Sequence, residues 1–262
     1  MHFLTGINPL YALSGLAVGM LVGLTGVGGG SLMTPLLVVL FRIHPATAVG
    51  TDLLYAAVTK SVGTGVHGWK KTVDWRVVAR LALGSLPAAG ITIFLLAQAH
   101  AKGGVSSQLL TDVLAGALIA TAIAMLFRDR LVAFFRRRGG APSPTRTAVL
   151  TVILGAVLGV LVSMTSVGAG AIGMTVLLIL YPTLPASRLV GSDIAHAVPL
   201  TLLAGFGHWL IGDVNFGLLG SLLVGSIPGV IVGSLISTRL SDRYLRPLMA
   251  VVLALVAWKL LS

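Results

Sequence analysis

The sequence predicts an all-α integral membrane protein, a polytopic helical bundle of two inverted-topology repeats, each interrupted by a glycine-broken or re-entrant helix. Three observations predict it: an apolar composition, a series of apolar runs long enough to span a bilayer, and an internal repeat whose equivalent loops carry opposite charge bias. Of the 262 residues, 56% are hydrophobic and only 10% charged, whereas a soluble domain of this size carries about a quarter charged residues. A water-facing surface cannot be built from such a chain. Glutamate and cysteine are both absent, which removes thiol chemistry and disulfides.

The elements follow from the length of the apolar runs, since a spanning helix needs about 20 mostly apolar residues. Runs near 47–66, 76–99, 108–127, 187–211, 216–237 and 244–261 meet that requirement. Two longer stretches, near 9–41 and 147–181, are long enough for two passes each, but glycine interrupts both. The interruptions read Thr25-Gly26-Val27-Gly28-Gly29-Gly30-Ser31 and Thr165-Ser166-Val167-Gly168-Ala169-Gly170-Ala171. The short piece after each is expected to be a half-helix or one arm of a re-entrant hairpin. Met1-His2-Phe3-Leu4 has neither a charged n-region nor a cleavage site, so no removable signal peptide is expected.

The repeat is read from ordered correspondences. Gly15 and Gly19 answer to Gly155 and Gly159; Thr25, Val27, Gly28 and Gly30 to Thr165, Val167, Gly168 and Gly170; and Pro45 to Pro185. After a one-residue insertion, Val49-Gly50-Thr51-Asp52 matches Val190-Gly191-Ser192-Asp193, His67 falls on His208, and Gly84-Ser85-Leu86-Pro87 on Gly225-Ser226-Ile227-Pro228. The domain organisation is therefore a first transmembrane repeat at 1–127, a basic linker at 128–146 and a second transmembrane repeat at 147–262.

Orientation comes from the basic residues. Lys70, Lys71 and Arg76, the linker arginines Arg128, Arg130, Arg136, Arg137, Arg138 and Arg146, and the group Arg239, Arg243 and Arg246 mark cytoplasmic segments. The loops near 100–107 and 211–215 hold only Lys102 and Asp213 among acids and bases that stay charged at neutral pH, so they face outside. The equivalent loops 67–75 and 208–216 then lie on opposite sides, the repeats are inverted, and both termini fall outside. The same placement explains the net charge of +11 as positive-inside bias in a cell membrane. It argues against a nucleic-acid partner.

Inverted repeats with broken helices point to a secondary transporter. A helix starting within lipid presents unpaired N–H groups and a partial positive charge, a setting for an anion. The candidate binding residues are Thr25, Gly28, Gly29, Gly30, Ser31, Gly50 and Thr51 in the first repeat, and Thr165, Gly168, Gly170, Gly191 and Ser192 in the second. The competing reading is that the glycines serve close helix packing, which suits Gly15, Gly19 and Gly23. The candidate ionisable residues are Asp52, Lys60, Asp193 and His196, because acids and bases within a membrane are costly unless used. Asp193 and His196, at i and i+3, share a helix face and suit a coupling proton. For the aspartates the plainer reading is stabilisation of a helix N-terminus. For Lys60 it is a stem reaching the cytoplasmic interface. His67 and His208, beside Trp69 and Trp209, read as interfacial.

Enzymatic readings lack their residues. A His-Glu-x-x-His site needs glutamate, and neither a Gly-x-Ser-x-Gly elbow nor a Gly-x-x-x-x-Gly-Lys-[Ser/Thr] phosphate loop is present. No cofactor and no metal are expected. The remaining alternatives to a carrier are an anion channel and a non-transporting membrane assembly protein.

Leu24-Thr25-Gly26-Val27-Gly28-Gly29-Gly30-Ser31, then Pro35 and His44-Pro45-x-x-Ala48-Val49-Gly50-Thr51, with the echoes Thr165–Gly170 and Val190-Gly191-Ser192 and the arginine-rich centre, resembles the sulfite exporter TauE/SafE family over essentially the whole chain. The resemblance implies a permease for sulfite or organosulfonates, often exporting, with the paired glycine loops and the Gly50-Thr51 and Gly191-Ser192 pairs as anion-binding elements. Asp52 and Asp193 depart from a purely anion-attracting site. They imply a different substrate or a proton as coupling partner.

Overall fold

A computed structural model describes residues 7–25, 30–69, 71–103, 106–138, 143–236 and 242–261. The described residues form helices joined by short turns, with no strand among them. In chain order the helices are α1 (Pro9–Thr25), α2 (Gly30–Val39), α3 (Pro45–Trp69), α4 (Trp75–Ala101), α5 (Ser107–Arg138), α6 (Pro144–Thr165), α7 (Met174–Leu180), α8 (Ala186–Ile211), α9 (Phe216–Ile236) and α10 (Asp242–Leu261). A π-helical turn, Ala169–Gly173, leads directly into α7. Each interrupted stretch thus becomes a long helix followed by a short one. The arginine-rich segment assigned to the linker begins inside α5, which runs to Arg138.

Short polar side chains set the helix starts. Asn8, Asp74, Ser106, Ser143 and Asn215 each accept a backbone N–H from the first turn that follows, as N-caps do. Asp74 and Asn215 stand at equivalent positions, opening α4 and α9. Each N-cap's own backbone N–H is held by the other half: Asp74 N donates to Ser192 Oγ at 2.8 Å and Asn215 N to Thr51 Oγ1 at 3.1 Å.

The same exchange runs through the packing. α1 lies along α9, and α6 lies along α4, while α3 packs on α8 and α5 on α10. The long scaffold pairs are seated by glycine. A Cβ on Gly15 would strike the Leu222 carbonyl and one on Gly155 the Leu81 carbonyl. Reciprocally, a Cβ on Gly225 would strike the Ala12 carbonyl and one on Gly84 the Val152 carbonyl. Only glycine lets two helix backbones approach this closely.

Large apolar side chains point away from the bundle: Leu83, Ile91 and Phe94 on α4, Ile119 and Ile123 on α5, Val149, Ile153 and Val157 on α6, Leu202 and Phe206 on α8. The polar and charged groups Thr34, Thr51, Asp52, Lys60, Ser85, Asp193, His196 and Ser226 are buried instead. This reverses the arrangement of a soluble protein and is what a hydrocarbon solvent selects. Among the described residues, five helices are long and apolar enough to cross a membrane: Trp75–Ala101, Ser107–Phe135, Pro144–Thr165, Ala186–Ile211 and Phe216–Gly233. Trp69, Trp75 and Trp258 are exposed at helix ends, where an aromatic belt meets the headgroups.

Candidate functional site

The interior site lies where the central pair α3 and α8 meets α2 and the interruption between α6 and α7. In the second repeat, Ser166 adopts a left-handed conformation with φ 58° and closes α6, its N–H donating to Val162 O. Gly168, at φ 115°, restarts the chain, a conformation that L side chains seldom reach. Its carbonyl accepts from Ile172 N at 3.2 Å and Gly173 N at 3.3 Å, forming the wide first turn of the Ala169–Leu180 helical run. No side chain caps that start. The first N–H groups of a helix have no partner within it, so the donors of this turn stand inside the bundle among buried residues. The Thr165 hydroxyl is already committed, donating to Leu161 O at 2.6 Å and accepting from Val167 N at 3.1 Å.

In the first repeat, Gly28 and Gly29, and the side chains of Thr25 and Ser31, lie outside the described residues. Gly30 opens α2. Thr34 on α2 donates to Asp52 Oδ2 twice, from its hydroxyl at 2.6 Å and its backbone N at 3.1 Å. The buried carboxylate is thereby locked against the short helix through Oδ2. Ser166, across the two repeats, stands within hydrogen-bonding reach of the Asp52 carboxylate.

Asp193 has no counterpart to the Thr34 clamp among the described residues. It packs against Gly173, where a Cβ would stand 3.0 Å from Oδ1, and Oδ1 makes no hydrogen bond. Its electrostatic partners are Lys60 first and Arg128 second. Lys60 is 7% exposed and acts on Asp193 and, more weakly, on Asp52. Reaching the interface is therefore not what Lys60 does: it is an interior cation lying between two interior acids. Arg128, read from charge counting as part of a cytoplasmic loop, is 8% exposed and belongs to this interior group.

Tyr55 and His196, at equivalent positions on α3 and α8, each meet the serine of the other half's Gly-Ser-x-Pro motif. His196 Nε2 is 2.7 Å from Ser85 Oγ, and Tyr55 lies beside Ser226. The Tyr55 and Ser226 hydroxyls are buried against each other within hydrogen-bonding reach, and His196 Nδ1 is buried without a hydrogen bond among the described residues. No hydrogen bond joins His196 to Asp193 among the described residues.

The structure thus brings Asp52, Lys60, Asp193 and His196 into one interior neighbourhood. Thr51 and Ser192 are occupied elsewhere, holding the N-caps of α9 and α4. Gly50 and Gly191 are buried on the same turns, and a Cβ on Gly50 would strike the Asp213 carbonyl. Gly170 is buried in the π-helical turn. Neither aspartate lies in the first turn of its helix, because α3 and α8 begin at Pro45 and Ala186, so helix-end stabilisation does not account for them. His208 is not interfacial either: it is 3% exposed, with Nε2 2.9 Å from Ser163 O and Nδ1 3.3 Å from Asp213 Oδ2. Thr34, Ser166, Ser85 and Arg128 were missed as site residues. For Ser85 a signal existed, the repeated Gly-Ser-x-Pro. For Thr34 and Ser166, which depend on how α2 and α6 dock, none did.

An apolar exterior around a buried set of charged and polar groups defines an integral membrane protein. The sequence profile of the sulfite exporter TauE/SafE family matches residues 11–260, and the chain belongs to that family. It is similar to "Probable membrane transporter protein YjnA" of Bacillus subtilis, 40% identical over 250 residues that cover 95% of this chain and 98% of that protein. It is also similar to "Probable membrane transporter protein YdhB" of the same organism, 29% identical over 224 residues, covering 83% and 85%. A third relative, "Probable membrane transporter protein MJ0441" of Methanocaldococcus jannaschii, is 23% identical over 263 residues, covering 95% and 93%. No solved structure matches. The chain is a membrane transporter of this family.

Proposed function

We propose that the protein carries a small sulfur-containing oxyanion, sulfite or a short organosulfonate, across the cell membrane as a secondary transporter, with a proton as coupling ion. The observation that carries this reading is the uncapped helix start at Gly168–Ala171, set in the bundle interior on the helical run that meets Asp193, the buried partner of Lys60. Convergent backbone donors and a buried positive charge suit a compact oxyanion. They need no bound metal to do so.

The direction of the two halves in the membrane is part of the proposal. The exchange of α1–α9 for α6–α4, and of Thr51–Asn215 for Ser192–Asp74, is the pattern expected of two halves related by an axis in the membrane plane. With the basic segment beyond Arg128 cytoplasmic, both termini lie outside. Alternating access then consists of one half rocking on the other around the interior charges. Asp193 is the proton carrier in this scheme: its carboxylate faces Lys60 and Arg128, and protonation changes the interior charge by one as the anion arrives or leaves. His196, with Nδ1 unbonded one turn on, relays that proton.

Purified protein in proteoliposomes, loaded and assayed with radiolabelled sulfite, methanesulfonate and sulfoacetate, tests the reading. Saturable flux with at least one of them, accelerated by an opposing pH gradient, is expected. Unsaturable conductance would assign a channel, and no flux of any oxyanion would remove the carrier.

A further inference from the structure

We propose that the cleft between α4 and α8 seats an acyl chain of an anionic phospholipid, whose headgroup meets Lys102. The inference rests on the membrane setting of the fold and not on which solute is carried.

The two helices run side by side in the same direction. Ser85 of α4 meets His196 of α8 at 2.7 Å, and further along both helices Ile93 meets Gly207. Between residues 90–97 of α4 and 203–211 of α8 they leave an apolar cleft of about 390 Å³. Phe94 on one helix and Phe206 on the other line it while standing half exposed, so it opens onto the lipid-facing surface. Phe206 is braced edge-on by Trp209, with 5.3 Å between ring centroids.

Gly90 and Gly207 shape this cleft, and neither belongs to the duplicated scaffold. On the register that pairs Gly84 with Gly225 and His67 with His208, they answer to Ile231 and Val66. A Cβ on Gly84 would strike the α6 backbone, whereas one on Gly90 would meet nothing within 4 Å. Close packing therefore does not require glycine at 90, although glycine weakens a helix interior. Its missing side chain leaves the end of the cleft open. Gly207 acts on the floor: a Cβ there would stand 2.3 Å from Ile93 Cγ2, so Ile93 packs down onto the α8 backbone.

Shape and charge together select the occupant. The eight residue steps from 203 to 211 rise about 12 Å, close to half of a hydrocarbon core about 30 Å thick. The cleft runs toward the C-terminal ends of both helices, Ala101 and Ile211, where Lys102 and Asp213 are the charges of the two loops. Asp213 is engaged by His208 at 3.3 Å, and Lys102 makes no ion pair among the described residues. Lys102 is exposed, and its stem lets the ammonium reach a headgroup from an apolar surface. One cation at the end of a leaflet-length apolar cleft matches one anionic headgroup above an acyl chain. The chain restores the dispersion contacts that an open lining forfeits. A second copy fits less well, because a helix about 10–12 Å across would offer the cleft only its side-chain tips. Since α4 belongs to the first half and α8 to the second, the bound chain touches both halves.

The test is native mass spectrometry of the purified full-length protein, delipidated in detergent and titrated with phosphatidylglycerol or phosphatidylcholine of identical acyl chains. Wild type is expected to bind a first phosphatidylglycerol about fivefold more tightly than phosphatidylcholine, the worth of one lysine at an anionic surface. Gly90→Leu, which fills the cleft without striking a neighbour, should lose that first site, and Lys102→Gln should bind the two lipids alike. Gly116→Leu, at an exposed α5 glycine with equally open surroundings, should behave as wild type. Should Gly90→Leu fail to fold, Ala97→Phe fills the same cleft and carries the test. Equal binding of the two lipids by wild type, or an undiminished first site in the filled variant, would overturn the proposal. So would a wild-type dimer that the filled variant turns into a monomer, which would give the cleft to a second copy.

Discussion

Asp52 and Asp193 occupy the same position in the two halves, yet their surroundings differ in kind. Asp52 is held by hydrogen bonds, two from Thr34. Asp193 is held by charge, from Lys60 and Arg128. Their neighbours diverge in step: Tyr55 answers to His196 and Lys60 to Thr201, whose hydroxyl merely returns to Ala197 O at 2.8 Å. The backbone framework around them has not diverged. The glycine seats, the N-caps Asp74 and Asn215, and the hydroxyls that hold those caps are all paired. Packing geometry must be kept in both halves for the bundle to close, whereas interior charge need only balance in total. A duplicated fold can therefore keep its scaffold symmetric and make its site polar.

The largest effects should come from the symmetric scaffold, and should be equal in the two halves. Gly84→Leu and Gly225→Leu each place a side chain against a backbone carbonyl that cannot retreat. Overpacking a fitted core costs about 1–3 kcal/mol, and more where backbone is struck. Loss of the monodisperse peak on size exclusion is expected for both. Survival of one alone would break the symmetry of the scaffold.

Next comes the asymmetric cation. Lys60→Met removes the charge shared by both carboxylates, and stripping one member from a buried charged group costs about 3–5 kcal/mol. Whatever protein still reaches the membrane should show oxyanion uptake reduced tenfold or more. Thr201→Met, at the equivalent place, should keep most of its uptake. Asp193→Asn should reach the membrane but lose the dependence of transport on pH. A pH profile unchanged from wild type would remove the proton from the mechanism.

The smallest effects separate the two serines. Ser85→Ala leaves His196 Nε2 without its partner, worth about 1–3 kcal/mol for a buried polar atom. Ser226→Ala loosens only the neutral Tyr55–Ser226 hydroxyl pair and should cost less, about 0.5–1.5 kcal/mol. Thermal midpoints of the two variants measure the difference directly.

Much of the fold was legible because a membrane protein writes its architecture in the apolar run. Spans near 47–66, 76–99, 187–211, 216–237 and 244–261 became α3, α4, α8, α9 and α10 with shifts of a few residues, while 108–127 became α5 with eleven residues more at its end, and glycine marked the interruption between α6 and α7. Charge counting misled at Arg128. One basic residue next to a basic segment looks cytoplasmic, and nothing local tells that α5 continues inward of it. Lys60 misled in the same way, since a long stem near a helix end has two destinations and only docking selects one. The hydroxyls of Thr51 and Ser192 were read for a solute, but each serves the opposite half's helix cap. Contacts between segments about 118 and 164 residues apart leave no pattern along the chain. The pairing of Asp52 with Thr34 was hidden for a related reason: the interaction depends on how α2 docks on α3.

The central claim is that the helix start after Gly168 is an open set of backbone donors that an oxyanion completes. An experimental structure determined with and without sulfite at saturating concentration tests it most directly. Sulfite-dependent density within hydrogen-bonding distance of the Ala169–Ala171 amides, on the side of Lys60, is predicted. A continuous helix through 165–174, packed dry and unchanged by sulfite, would contradict it.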